Sequence, residues 1–294
     1  MVAGYVASAH SEPTYGEYAH VLEQVVRCRV DRINLSRDDG YQLRPEHLES
    51  RFENGYDLIV VVNPNSPTGR HVSRPDLELL LAGVPQRTRV WIDETYVEYA
   101  GPDQSLEQFA AGSENIVVCK SMSKVYALSG VRAAYLCASP RAIEELRSIT
   151  PPWAVSLLGQ VAAVAALRDP DYYAARYRET HALRAQLVSE LHARFELETI
   201  SSVANFVLCH LPPDGPSAAL VCEQCRKHGV FLRDAACMSR RLGHHALRIA
   251  VKDSETNSRV VDMLGRLLKR SMRDGLRLGP PTLNASGCTL PASS

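Results

Sequence analysis

The chain has 294 residues, 45% of them hydrophobic and 22% charged, with 33 basic and 33 acidic side chains that leave no net charge. That length accommodates a large core in two lobes. The neutral balance gives no support to nucleic-acid or anionic-membrane binding, and no apolar run reaches the ~18–20 residues that span a bilayer. The first residues lack the basic and long apolar regions of a signal peptide. Eight cysteines fall mostly within predicted elements rather than in a disulfide-like framework, so a cytoplasmic setting is expected.

In chain order, residues 2–7 read as a short strand, 18–28 as a helix and 30–35 as a strand. A helix over 44–52 opens at Pro45. Residues 57–62, Asp-Leu-Ile-Val-Val-Val, form the continuous apolar strand of a sheet buried on both faces. Asn63-Pro64-Asn65-Ser66-Pro67-Thr68-Gly69 then breaks all regular structure. Ser73 caps a helix, with Asp76 at capping-box spacing. Strands follow at 89–92, 115–120 and 133–138, with a helix at 141–149. Strands alternating with helices over 30–150 predict an α/β fold, a mostly parallel sheet with helices on both faces.

After Pro151-Pro152-Trp153 the pattern changes. Helices are expected at 156–167, 172–195, 218–228 and 253–270, the last capped by Asp253. Strands are expected at 205–211, 230–233 and 246–251. This predicts a large domain over 1–170, a linking helix with a smaller α+β domain over 171–274, and a disordered tail over 275–294. Cys222 and Cys225 form a CxxC inside the 218–228 helix with no second pair, which suits packing better than a metal. The histidines show no ligand spacing, so no metal site is expected.

Three predicted strand ends carry polar clusters: 63–69, 93–96 and 121–132. In an open parallel sheet such ends meet at one crevice. Ser121-Met122-Ser123-Lys124, with Arg132 eight residues past the lysine, combines hydroxyls, an amine and a guanidinium in the manner of a phosphate-bearing aldehyde site. Alone, those residues fit a solvated turn equally well. Asp93 alone fits a cap at a strand–turn boundary. Together they suit pyridoxal 5'-phosphate, with Asp93 on the pyridine nitrogen.

Five motifs occur in order: PTYGEY (13–18), NPNSPTG (63–69), DETY (93–96), SMSK (121–124) and LRIAV (247–251). On these the chain resembles the fold-type I pyridoxal-phosphate aminotransferases of class I/II, nearest to histidinol-phosphate aminotransferases and threonine-phosphate decarboxylases. The resemblance implies that Lys124 is the Schiff-base lysine and that Tyr96 bonds the cofactor's phenolic oxygen. It implies that Tyr15 stacks on the ring and that Ser121, Ser123 and Arg132 hold the phosphate. Arg248 and Arg233 would bind the substrate anion. The family's asparagine before Pro-Thr-Gly is Ser66 here, and Asn65 is expected to substitute for it. The segment that precedes PTYGEY in the family, with a phosphate-binding glycine turn, is absent from the resemblance.

The expected activity is amino transfer between an amino acid or amino-alcohol phosphate and a 2-oxo acid, in a homodimer. Decarboxylation of a phosphorylated amino acid is the alternative, together with a shortened member that keeps the fold without catalysis.

Overall fold

The computed structural model describes residues 7–52 and 55–274. Among these, ten strands form two sheets. The first holds β1 (Ala7–Glu12), β2 (Arg29–Asn34), β3 (Leu58–Val62), β4 (Arg89–Asp93), β5 (Ile116–Ser121) and β6 (Ala134–Cys137), in spatial order β2-β1-β3-β4-β5-β6. All neighbours pair parallel except β5 and β6, which run antiparallel. The mostly parallel α/β sheet expected from the sequence is therefore present.

Of the strand expected at 2–7, residues 2–6 lie outside the described residues; the strand described there, β1, starts at Ala7. Its sequence, Ala-Ser-Ala-His-Ser-Glu, has no apolar alternation to signal a strand. It is nevertheless central, and Ser8, His10 and Ser11 are buried within it. The helix expected at 18–28 begins earlier, as α1 (Gly16–His20), and widens into a π-helical turn over Val21–Val26. Arg27, in left-handed conformation, ends it by donating its N–H to Leu22 O, five residues back.

One face of the first sheet presents Ile59, Val61, Val90, Ile92, Ile116 and Val118. Leu48 of α2 (Pro45–Phe52), Leu77, Leu80 and Leu81 of α3 (Arg74–Ala82) and Ala110 of α4 (Glu107–Ala111) cover it. Ser73 caps α3 as expected, its Oγ accepting from Asp76 N. The opposite face is less complete. Along β5, Ile116, Val118 and Lys120 are buried while Val117, Cys119 and Ser121 are half-buried.

The chain continues through α5 (Pro140–Ile149), α6 (Leu157–Leu167) and the long α7 (Pro170–Arg194) into the second sheet. Here β7 (Glu198–Ile200), β8 (Phe206–His210), β9 (Arg233–Asp234) and β10 (Ala246–Ala250) follow the order β7-β8-β10-β9, all antiparallel. β7 has no clear sequence signal. β9 is two residues long and starts later than the expected 230–233, because Val230 N still donates to Cys225 O at 3.0 Å at the end of the preceding helix. α7, α8 (Ala218–Lys227) and α9 (Ser254–Asp274) cover one face of this sheet, burying Val207, Cys209, Leu247 and Ile249. Cys222 and Cys225 pack in the same core, and none of the seven described cysteines is in a disulfide.

The other face of β8 turns Leu208 and His210 toward the first sheet, so one apolar core joins the two. At this seam Tyr41, with φ 58°, meets the His210 ring at Nε2, 3.1 Å from its hydroxyl. Burial lowers the His210 pKa to about 4, with Arg37 adding to the effect. The unfolded chain binds this proton near pH 6.5 and the folded protein does not. Stability from His210 is therefore complete above pH 6.5 and is lost as pH falls toward 4. The expected loss is on the order of 2 kcal/mol after allowance for solvent screening. Thermal unfolding of wild type and His210→Asn across pH 4–7 checks this, the variant showing a correspondingly flatter profile.

Candidate active site

The loops after β3, β4 and β5 lie at the same end of the first sheet, where their strands stop. The loop after β3 is closed by Asn63, whose amide pairs with Val72 N and O at 2.8 and 2.9 Å. Gly69 (φ 72°) fastens this loop to the second lobe. Its carbonyl accepts Val203 N at 2.9 Å, and a Cβ there would lie 2.0 Å from Ser202 Oγ. Only glycine fits that approach.

Asn65, expected as a cofactor ligand, is buried with its amide engaged by neighbouring residues. Its Oδ1 accepts the Thr14 hydroxyl at 2.6 Å, and its Nδ2 donates to Pro13 O and Thr68 Oγ1, both at 2.9 Å. Its amide cross-links the first and second motifs. Ser66, the neighbour, instead accepts from Arg248 Nη1 at 3.2 Å.

Asp93 ends β4 with 7% of its surface exposed. Its Oδ1 accepts from Thr95 N at 2.9 Å and from the Thr95 hydroxyl at 2.5 Å, and its Oδ2 accepts from the Tyr18 hydroxyl at 2.7 Å. Three of about four carboxylate lone-pair positions are thus filled. The fourth, on Oδ2, has no partner among the described residues.

Two lysines four residues apart have opposite environments. Lys120 is in phase with Ile116 and Val118 and points inward, where Glu98, Glu107 and Glu94 surround its Nζ at 2.9, 3.5 and 3.7 Å. Burial pulls its pKa down, but these carboxylates outweigh that and hold it above the ordinary lysine value. Glu94 also accepts from Ser105 Oγ and Leu106 N, both at 2.7 Å, which anchors the turn after Asp93. Strand alternation was the signal that could have singled out Lys120. Lys124 is exposed, and its amine has no hydrogen bond or ion pair among the described residues.

Around Lys124, Ser121 Oγ and Ser123 Oγ lie 2.8 Å apart. Arg132, at φ 54°, donates Nη1 to Ser129 O at 3.0 Å and is otherwise open to solvent. Tyr15 sits half-exposed at the rim, edge-on to Tyr18 with ring centroids 5.9 Å apart. Burial raises the Tyr15 pKa; Glu17 and Asp93 add to this and Arg132 opposes it, so the rim feels both Asp93 and Arg132.

From the second lobe, β10 points Arg248 at this crevice. The guanidinium lies over the Phe206 ring at 4.9 Å and has no carboxylate partner among the described residues. Desolvation lowers its pKa. Arg233 stands directly opposite Arg248 in the β9–β10 ladder. Like charges so placed repel unless an anion sits between them. Tyr96 packs edge-on against Phe206 at 5.3 Å. Burial raises its pKa to about 12, with Arg248 opposing and Asp93 reinforcing. The crevice thus brings together Asp93, Tyr96, Tyr15 and Arg248, with Ser121, Ser123, Lys124 and Arg132 at the neighbouring strand end. No helix among the described residues is long and apolar enough to cross a membrane.

Comparison with known proteins bears on the fold and the family. The family model described as aminotransferase class I and II matches residues 9–264. A histidinol-phosphate aminotransferase from Methylobacillus flagellatus is 33% identical over 264 residues, covering 88% of this chain and 69% of that protein. The histidinol-phosphate aminotransferase of Clostridium acetobutylicum superposes with a TM-score of 0.81 at 20% identity, covering 90% of this chain and 79% of that one. The Sinorhizobium meliloti histidinol-phosphate aminotransferase, solved in complex with pyridoxal-5'-phosphate, has a TM-score of 0.80 at 22% identity, covering 92% and 72%. At those identities the two structures share the fold.

Proposed function

This chain belongs to the class I and II aminotransferase family, and on that premise we propose that it moves an amino group between an amino acid or amino-alcohol phosphate and a 2-oxo acid, with pyridoxal 5'-phosphate as cofactor. The observation that carries this reading is the contrast between the two lysines. Lys120 is held by three carboxylates inside the fold, while Lys124 is exposed, without a partner among the described residues, just past the end of the strand that pairs with β4 and its Asp93.

The residues present fit the cofactor. Ser121 and Ser123 share one hydrogen bond, leaving a hydroxyl proton to donate outward, and Arg132 keeps most of its donors free for a phosphate. Asp93 retains one acceptor position for a ring N–H. Tyr96 and Tyr15 line the space between. When bound, pyridoxal phosphate supplies an electron-withdrawing ring joined to the substrate nitrogen.

The protein's own groups then have distinct tasks. Lys124 Nζ would hold the cofactor, and its amine would take the proton from the substrate Cα. Asp93, fixed by Tyr18 and Thr95, would face the ring nitrogen and favour its protonated form. Arg248 would receive the substrate anion with no carboxylate among the described residues to displace, and Arg233 adds a second positive charge across the ladder. A phosphate or carboxylate relieves their mutual repulsion, which favours a doubly anionic or phosphorylated substrate. Ser66 holds the Arg248 guanidinium in place.

Incubation with pyridoxal phosphate, a 15N-labelled amino donor and a 2-oxo acid tests the reading. Label in the amino acid derived from the acceptor supports it. Release of carbon dioxide from the donor without a 2-oxo product would instead show a decarboxylase.

We also place the protein in the cytoplasm, in keeping with the absence of disulfides among the described cysteines, and assign it a homodimer. The supporting feature is an apolar surface from the end of α5 onto α6, where Ile149, Trp153, Leu157, Leu158 and Val161 are exposed, Trp153 to 88%. Contiguous apolar area of this kind marks an interface on soluble proteins. Leu158→Glu is expected to weaken the dimer about 100-fold or more. Sedimentation equilibrium reads this directly, and a monomeric wild type at micromolar concentration would remove the assignment.

A further inference from the structure

Tyr18 lies next to the site, yet none of the roles assigned above requires it to touch substrate or cofactor. Its hydroxyl sits between two fixed groups: Trp91 Nε1 at 3.0 Å and Asp93 Oδ2 at 2.7 Å. The indole N–H can only donate. Tyr18 Oη therefore accepts from Trp91, and its single proton goes to Asp93. The direction of the relay, Trp91 to Tyr18 to Asp93, is set by chemistry. Burial, reinforced by the Asp93 charge, keeps the phenol protonated and hence a donor.

The two donors from Thr95 both fall on Asp93 Oδ1. Taken alone, they pin one oxygen and let the other swing about it. The Tyr18 hydroxyl is the contact that fixes Oδ2. It also fills one of the Oδ2 lone-pair positions, so the remaining one points in a single direction. The Tyr18 ring is itself held: it packs in a small apolar cluster with Leu22, Cys28, Val60 and Trp91, and Tyr15 covers its edge.

We propose that Tyr18 is a positioning residue that aims Asp93 Oδ2 at the N–H of a protonated ring nitrogen. The proposal rests on the cofactor reading above. A phenol that merely filled space would not need the second, directional bond to Trp91.

The test titrates two aldehydes into the full chain by tryptophan fluorescence or calorimetry. One is pyridoxal phosphate; the other is its carbocyclic analogue, with C–H in place of the ring nitrogen. Wild type is expected to prefer pyridoxal phosphate by about tenfold or more, the value of one charge-assisted hydrogen bond. Tyr18→Phe keeps the ring packing and removes the hydroxyl. It is expected to weaken pyridoxal phosphate about tenfold while leaving the analogue unchanged. Should Tyr18→Phe fold poorly, Trp91→Phe carries the test. It retains the hydroxyl but frees its direction, and a selective loss of about threefold is expected, less than one full hydrogen bond.

An equal loss for both aldehydes would reduce Tyr18 to packing and overturn the proposal. Unchanged binding of both would do the same. Equal wild-type affinity for the two aldehydes would sink the assignment of Asp93 to a ring nitrogen, and the proposal with it, an outcome visible before any variant is made.

Discussion

Changing Lys124 to alanine is expected to reduce amino transfer by at least about 10⁴-fold, through loss of both the covalent anchor and the base. The visible absorption band that wild type forms with pyridoxal phosphate should disappear as well. Stability should hardly move, because the Lys124 amine is exposed and unpaired among the described residues. The control lies four residues upstream. Lys120→Ala leaves Glu94, Glu98 and Glu107 facing one another without their cation. Removing one partner of a buried ionic cluster costs about 3–5 kcal/mol, so this variant should unfold at markedly lower denaturant. Steady-state kinetics and urea titration of the two variants separate the roles. A Lys124→Ala protein that keeps more than a hundredth of wild-type turnover would contradict the assignment.

The second large effect is expected at Asp93. Asp93→Asn is nearly isosteric but exchanges an anionic acceptor for a neutral amide. One amide edge then presents N–H groups either to the Thr95 donors or to the Tyr18 hydroxyl, all of which donate in the native arrangement. Wherever the amide settles, donor meets donor, and the charge opposite the ring nitrogen is gone. Loss of one preorganised electrostatic contact in a dry site is worth about 10²–10³ in turnover. The expected result is a fall in kcat of that size, with cofactor affinity also reduced. Turnover within tenfold of wild type would show that the carboxylate serves only the local turn.

Much of this arrangement is legible in the sequence because it depends on periodicity and on strand ends. The run 57–62 could only be a doubly buried strand, and the polar clusters after it, after 92 and after 120 had to meet if the sheet is parallel. Ser73 and Asp253 cap as their spacing implies: Ser73 accepts Asp76 N, and Asp253 accepts Thr256 N at 2.8 Å. The sequence signal is weakest where burial or a neighbouring element decides. The serines and histidine of β1 are buried because strands flank it on both sides, which is a tertiary fact. β9 starts late because Val230 N still closes the helix before it.

Site residues divide in the same way. Identity motifs pointed to Asp93, Lys124 and Arg248, but the neighbours that give them meaning come from far along the chain. Tyr18 is 75 residues from Asp93, and Ser66 is 182 residues from Arg248. No local pattern announces such pairs. At Asn65, one position from the motif site, the partners are again remote: Thr14 and Pro13 engage its amide.

The most direct measurement of the central claim is a single half-reaction followed by absorbance. Wild-type protein with one equivalent of pyridoxal phosphate should develop a visible band. An amino donor should bleach that band with release of one equivalent of 2-oxo product, and a 2-oxo acid acceptor should restore it. Failure to form the band, or bleaching that yields carbon dioxide and no 2-oxo product, would contradict the account.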